Sequence, residues 1–233
     1  MGSMIARRHS TNHVFRTLFL LHLSLCSASF SFDFYSSSCP AAEFVVSSTV
    51  RSAAFNDPTI PGKLLRLVFH DCFVEGCDAS ILLKGNNTER DDPANESLGG
   101  FDVIDAAKRT LEIICPGIVS CADIVALAGR DAVSATGGPS VRIPTGRRDG
   151  RRSSMSKVRD NIVDTSFDIP EMAKIFSSKG LSLDDIVTLS AHSATDSRRT
   201  RGASSGFPTP EWTQNTPMSL SKSARRMQTR RPP

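Results

Sequence analysis

Apolar residues along this chain recur at helical spacing, and no stretch alternates as a strand would. Val46, Val50, Ala53 and Ala54 stand at i, i+4, i+7 and i+8, one stripe of an amphipathic helix. A second helix is predicted over roughly Pro61–Phe73. A third runs over about Phe101–Ile113, with Val103, Ala107 and Leu111 on one stripe. Ser120 opens a fourth, with Asp123 three residues on as its capping partner, and Gly137 and Gly138 close it. Asp168 and Glu171 open a fifth that Gly180 ends. Ser182 and Asp185 open a sixth, which runs through "IVTLSAH". The stretches "KGNNTERDDPANES" and "GGPSVRIPTGRRDGRR" are rich in turn residues. The pattern predicts an all-α fold. After His192 the periodicity stops, and residues 194–233 read as a disordered basic tail.

Composition and charge add compartment and boundaries. The chain has 233 residues, of which 39% are hydrophobic, enough for one sizeable packed domain. Its net charge of +4 is uneven, because Arg198, Arg199, Arg201, Lys222, Arg225, Arg226, Arg230 and Arg231 crowd the tail. A polyanion role for that tail finds little support: a nucleic-acid binder would stack bases on aromatics, and the tail offers only Trp212. Near the N-terminus, Arg7, Arg8 and Arg16 precede the apolar run "LFLLHLSLC" and the small residues "SAS". That order reads as a secretory signal over residues 1–29, cleaved near Ser29 or Phe30; a buried core helix is the competing reading. The run is short for a membrane span. The domain is then expected over residues 30–193. Secretion favours disulfides, and removal of Cys26 with the signal leaves five cysteines, so one lacks a partner.

Chemistry concentrates in "RLVFHDCFVEGCDAS", residues 66–80. Arg66, Phe69, His70 and Phe73 fall at i, i+3, i+4 and i+7 on one helix face, with Leu64, Leu67 and Val68 opposite. An imidazole beside a guanidinium suits heterolysis of a polar bond, as base and electrostatic stabiliser. Such a face is costly to bury unless it lines a working cavity; a solvated helix face is the plainer reading. Asp71 is rotated away from His70 and begins a tight loop with Asp78, the Ser80 hydroxyl and carbonyls freed at Gly76. These hard oxygens suit calcium at other than EF-hand spacing. Zinc lacks a completing cysteine or histidine pair. Cys72 and Cys77 could close the loop as a small disulfide.

These residues give the sequence a resemblance to the secreted plant (class III) haem peroxidases, over about Phe32–His192. It is carried by "FYSSSCP", "RLVFHDCFVEGCDASILL", "CPGIVSCADIVALAGRDAV" and "GGPSVRIPTGRRDG". The resemblance implies a mostly helical fold with haem b between two halves, here the distal part and the start of the proximal part. His70 resembles the distal acid/base, Arg66 the distal arginine, Phe69 the residue over the haem, and Asn95 the asparagine that holds the distal imidazole. Asp71, Val74, Gly76, Asp78 and Ser80 match distal calcium ligands, with Glu89 behind them through water. Cys39–Cys115 and Cys72–Cys77 match family disulfides. The implied reaction takes hydrogen peroxide and small phenolic donors in one-electron steps, in a monomeric, secreted protein of the extracellular space, cell wall or vacuole. It involves no nucleic acid, and no membrane once the signal is removed. Asn86 in "NNT" is a glycosylation acceptor on a loop; Asn95 in "NES" is a second, expected to escape modification as a buried site residue.

The pattern departs from the family near its end. The family's proximal ligand lies in a motif like "LSGAHTIG", whereas this chain reads "TLSAHSATDSRRT", one residue shorter before His192. On a helix, one residue turns a side chain by about 100°. His192 is the candidate haem ligand, an ordinary helix-end histidine being the competing reading, and Ser193 is a remnant of the family's proximal calcium site. The family's partner for Cys121 lies beyond this point, which accounts for the odd cysteine. "NIVDTSFDIP" lacks the family's proline-containing substrate-channel motif. Two functions are therefore carried forward: a haem peroxidase, and a catalytically inactive, calcium-stabilised peroxidase remnant without stable haem.

Overall fold

Five helices form where the stripes place them. They are α1 (Ala42–Asn56), α2 (Ile60–Val74), α3 (Phe101–Ile114), α4 (Cys121–Ala135) and α5 (Ile169–Ser178). A sixth helical stretch, α6, occupies residues 183–189. The computed structural model describes residues 30–163 and 167–189, and from Ser31 onward these belong to one unit. Among them there is no β-strand, only an isolated antiparallel bridge between Ser31 and Thr145. The all-α expectation holds. The expected signal over residues 1–29, His192, Ser193 and the expected tail over 194–233 lie outside the described residues.

Helix α4 is the centre of the larger core. Residues 122–129 are all buried, so it packs on every side rather than along one stripe. Val46 and Val50 of α1, Leu64 and Leu67 of α2, and Ile104 and Leu111 of α3 close around Ile124 and Leu127. Helix α2 crosses α4 closely at Gly129, where an added Cβ would stand 2.6 Å from Val68 Cγ2. A second cluster joins the far end of α2 to later elements. There Phe73 and Val74 pack with Val158, Ile162, Phe176, Leu181 and Ile186. The phenyl rings of Phe73 and Phe176 meet edge to face at 5.1 Å. Helix α2 thus belongs to both cores, and its remaining face carries Arg66 and His70.

The helix starts follow the capping residues, with one difference. Asp168 accepts from Glu171 N and Glu171 returns the bond to Asp168 N, each at 2.9 Å. Ser182 and Asp185 do the same at the start of α6. At α4 the Ser120 hydroxyl accepts from Asp123 N, but the Asp123 carboxylate does not reach back. It is fully buried and accepts instead from Tyr35 Oη (2.7 Å), Gly146 N (2.7 Å), Arg147 N (3.1 Å) and Arg147 Nη1 (2.7 Å). Asp149 takes over the cap, accepting from Cys121 N and Ala122 N. The capping pair expected at Ser120 is therefore half formed, because a buried guanidinium is the stronger partner for a carboxylate.

Cys39–Cys115 and Cys72–Cys77 are bonded and Cys121 is free, as the cysteine arithmetic and the resemblance together imply. The first bridge closes a sequence separation of 76 residues, and a loop of that order contributes about 4 kcal/mol in chain-entropy terms.

Tyr35 is the chain's one tyrosine, so the buried network can be read directly. Burial pushes its phenol from 10.0 up to about 12. That value is the balance of burial with the Ser120 contact, which opposes the shift, and the Asp123 carboxylate, which adds to it. A raised phenol stabilises the fold fully below the unfolded value and loses that contribution as pH rises through the folded value. Tyrosinate absorbance should therefore stay low in the folded protein until pH approaches about 12, with stability falling from about pH 10 upward. Ionisation near 10 in the native state would contradict the network. Asp123→Ala should cost about 3–5 kcal/mol in urea unfolding, since it removes one partner of the buried Asp123–Arg147 ion pair.

Candidate active site

Helix α2 supplies two side chains and the 3-10 turns after it supply their partners. The loop expected from "KGNNTERDDPANES" folds into two such turns, Glu89–Asp91 and Pro93–Asn95. Thr88 and Asp91 cap the first; the Asp92 carboxylate accepts from Ala94 N to cap the second. Asn95, at the end of the second turn, is buried at 4% exposure and points at α2. Its Oδ1 lies 2.5 Å from His70 Nδ1, and its Nδ2 donates to the Glu89 carbonyl at 2.8 Å. Because Nδ2 is the donor to a carbonyl, Oδ1 is the acceptor, so His70 carries its proton on Nδ1. Nε2 then keeps a lone pair, and Arg66 Nε donates to it at 3.3 Å.

His70 is buried, and its pKa falls from 6.5 to about 4. Burial is the main cause, the Asn95 contact opposes it, and the Arg66 charge lowers it further. The ring is a neutral base around neutral pH. Phe69 is half-buried, edge-on to the imidazole at 5.4 Å and tilted against Phe73 at 4.3 Å. Arg66 itself lies on the solvated side of this face. It is exposed, and four bonds hold its guanidinium at the rim: Nη1 to Ser97 Oγ (2.8 Å) and to the Ser97 carbonyl (3.4 Å), Nη2 to the Ala94 carbonyl (3.0 Å) and Nε to His70. A charge left in water needs no buried counter-ion, so the fold avoids the desolvation cost. Ser97 and Ala94 carry no sequence signal for this role beyond their place beside Asn95.

The oxygen-rich loop gathers behind the same helix. Asp71 is fully buried; its Oδ2 accepts from Ala79 N at 3.1 Å, while its Oδ1 makes no hydrogen bond. Ser80 Oγ and Glu89 Oε2 are likewise buried and without hydrogen bonds. Burial pushes the Asp71 carboxyl well above its ordinary range, and the Asp78 and Glu89 charges add to this. Burial also raises Glu89 to about 7, tempered by the nearby Ser80 and Ser153 hydroxyls. Asp78 is held by Ser80 N on its Oδ1, by Gly76 O on its own N–H and by Gly150 N on its carbonyl. Gly150 leaves just enough room: an added Cβ would lie 2.3 Å from Asp78 Oδ2. Among the described residues no three His, Cys, Asp or Glu side chains converge as a metal cluster. Any cation here would rest on two carboxylates, a hydroxyl and backbone carbonyls, with Glu89 further back. Three buried oxygens without hydrogen bonds fit a hard cation.

Of the sequence-predicted residues, Arg66, Phe69, His70 and Asn95 are thus brought together on one side of α2. Asp71, Val74, Gly76, Asp78, Ser80 and Glu89 gather at its C-terminal end. Glu89 links the groups: its carbonyl supports Asn95 and its carboxyl faces the loop. The Ser153 hydroxyl that accepts from Glu89 N had no signal in the sequence.

A family model described as Peroxidase matches residues 46–229. Peroxidase 46 of Arabidopsis thaliana is 64% identical over 173 residues, covering 74% of this chain and 53% of that protein. Peroxidase 18 of the same plant is 63% identical over 173 residues, with the same coverage. Peroxidase 5 of Vitis vinifera is 49% identical over 161 residues, covering 67% of this chain and 49% of that protein. With this fold and these matches, the chain belongs to the plant peroxidase family. It spans about half the length of the relatives it matches.

Removing the support of His70 tests the geometry. Asn95→Ala strands the His70 Nδ1 proton and the Glu89 carbonyl, both buried. Urea unfolding should show a loss of about 1–3 kcal/mol. A change within about 0.5 kcal/mol, the size of an ordinary surface substitution, would contradict the linkage.

Proposed function

We propose that this chain is a haem peroxidase that reduces hydrogen peroxide and oxidises small phenolic donors, with His70, Arg66 and Asn95 as its peroxide-handling residues. The observation that carries this reading is the bond chain Arg66–His70–Asn95–Glu89, which leaves a neutral imidazole with a bare Nε2 next to a guanidinium. Nε2 takes the proton from the peroxide oxygen nearer the cofactor and delivers it to the far oxygen, which departs as water. Arg66 stabilises the negative charge that builds on that oxygen as the O–O bond breaks. Asn95 keeps the proton of the resting ring on Nδ1, so Nε2 is always the working atom. Phe69 walls the site. Haem b, when bound, supplies two electrons to the peroxide bond and regains them singly from two phenols. His70 and Phe69 would line its site, and His192 is the candidate iron ligand.

Calcium is the second cofactor of this reading. Asp71, Val74, Gly76, Asp78 and Ser80 would hold it, with Glu89 through water, and the oxygens of Asp71, Ser80 and Glu89 without hydrogen bonds support it. Ser193 would belong to a second, proximal site. The basic–apolar–small order of residues 1–29 supports secretion. Among the described residues no helix is long and apolar enough to cross a membrane. Asn86 is exposed, as a glycan acceptor must be, whereas the second acceptor, Asn95, is buried and fully engaged.

Haem titration of the secreted, calcium-loaded chain should saturate near one haem per chain with a histidine-ligated ferric spectrum. His70→Ala should keep that stoichiometry and slow peroxide cleavage by roughly 10²–10⁴-fold. An unchanged rate would remove His70 from its role. Absence of saturable haem binding would leave the calcium-stabilised, inactive remnant as the function.

A further inference from the structure

The carbonyl of Val74 already has a cation. Val74 ends α2, where the last carbonyls have no partner within the helix. Lys179 Nζ donates to that carbonyl at 3.3 Å and contacts Asn161 Oδ1 as well. The ammonium sits in a built cradle. Lys179 caps α5, its N–H bonding the Ile175 and Phe176 carbonyls. Asn161 is fixed by its own N–H to the Val158 carbonyl and by Nδ2 to the Lys157 carbonyl at 2.8 Å. Lys179 is half-buried, and its partner carbonyl belongs to Val74, a member of the buried apolar cluster that joins α2 to α5. Screening is weaker there than in water.

We propose that Lys179 is a built-in competitor of calcium: its ammonium holds the Val74 carbonyl in the metal-free chain and weakens calcium binding at the loop of residues 71–80. This rests on the calcium reading above. A divalent ion on the same oxygen meets a fixed positive charge, so it either displaces the ammonium or binds against its repulsion. Displacement frees the C-terminal end of α5 from α2, so occupancy of the loop is coupled to how α5 is held. Lys179 is a positioning and affinity-setting residue; it touches no reacting atom.

Calorimetric calcium titration of the full-length protein tests this with wild type, Lys179→Met and Lys179→Arg at one ionic strength. Lys179→Met should bind calcium roughly tenfold more tightly, a change of about 1.4 kcal/mol. Lys179→Arg, which keeps the charge, should stay within about twofold of wild type. Should Lys179→Met fail to fold, Lys179→Gln keeps an N–H donor without the charge and should also bind more tightly. Equal or weaker binding by the neutral variants, with wild type binding normally, would overturn the competition and leave the calcium site standing. Binding by the neutral variants alone would be the competition at its strongest. No binding by any variant would overturn both the site and the competition.

Discussion

One helix must satisfy three demands at once, and the rest of the structure is arranged around it. Helix α2 buries Leu64 and Leu67 in the larger core and Phe73 and Val74 in the smaller one. Along the same turns it presents Arg66 and His70 on its remaining face, and Asp71 behind them. The close crossing at Gly129 fixes its position against α4, and the Cys72–Cys77 bridge fixes the loop at its end. With that many constraints on fifteen residues, the imidazole has little freedom. A catalytic group placed on a rigid helix is held better than one on a loop.

Glu89 is the junction between the His70 group and the oxygen-rich loop. Its backbone carbonyl receives the amide that orients His70, and its buried carboxyl faces the oxygen-rich loop. Whatever changes the charge or position of the loop therefore acts on the imidazole through a chain of three residues. At the end of α2, Lys179 donates to the Val74 carbonyl. Oxygen sites of this kind need not announce themselves as clusters of acidic side chains, since carbonyls and hydroxyls supply much of the coordination.

Much of this was legible from the sequence, because helical periodicity and capping residues are local signals. The ends of α2, α3 and α5 fall within a residue or two of where the stripes and caps place them. His70 and Arg66 could be placed on one face by spacing alone. What could not be read was tertiary. Asp123 looks like a capping residue until Arg147 and Tyr35, 24 and 88 residues away, claim its carboxylate. Spacing left open whether the Arg66 face is buried or solvated; the side chain's length lets the guanidinium reach the rim, where Ser97 and Ala94 hold it. Asn95 carries no periodic signal, and nothing in the local sequence places it 2.5 Å from His70.

The central claim is that His70 is a neutral base with its proton fixed on Nδ1. Long-range proton–nitrogen correlation spectra measure this directly, with the His70→Gln spectrum assigning its signals among the five histidines. The predicted result is a protonated Nδ1 and a bare Nε2 around neutral pH, with titration delayed until about pH 4. A proton on Nε2, or titration near 6.5, would contradict it.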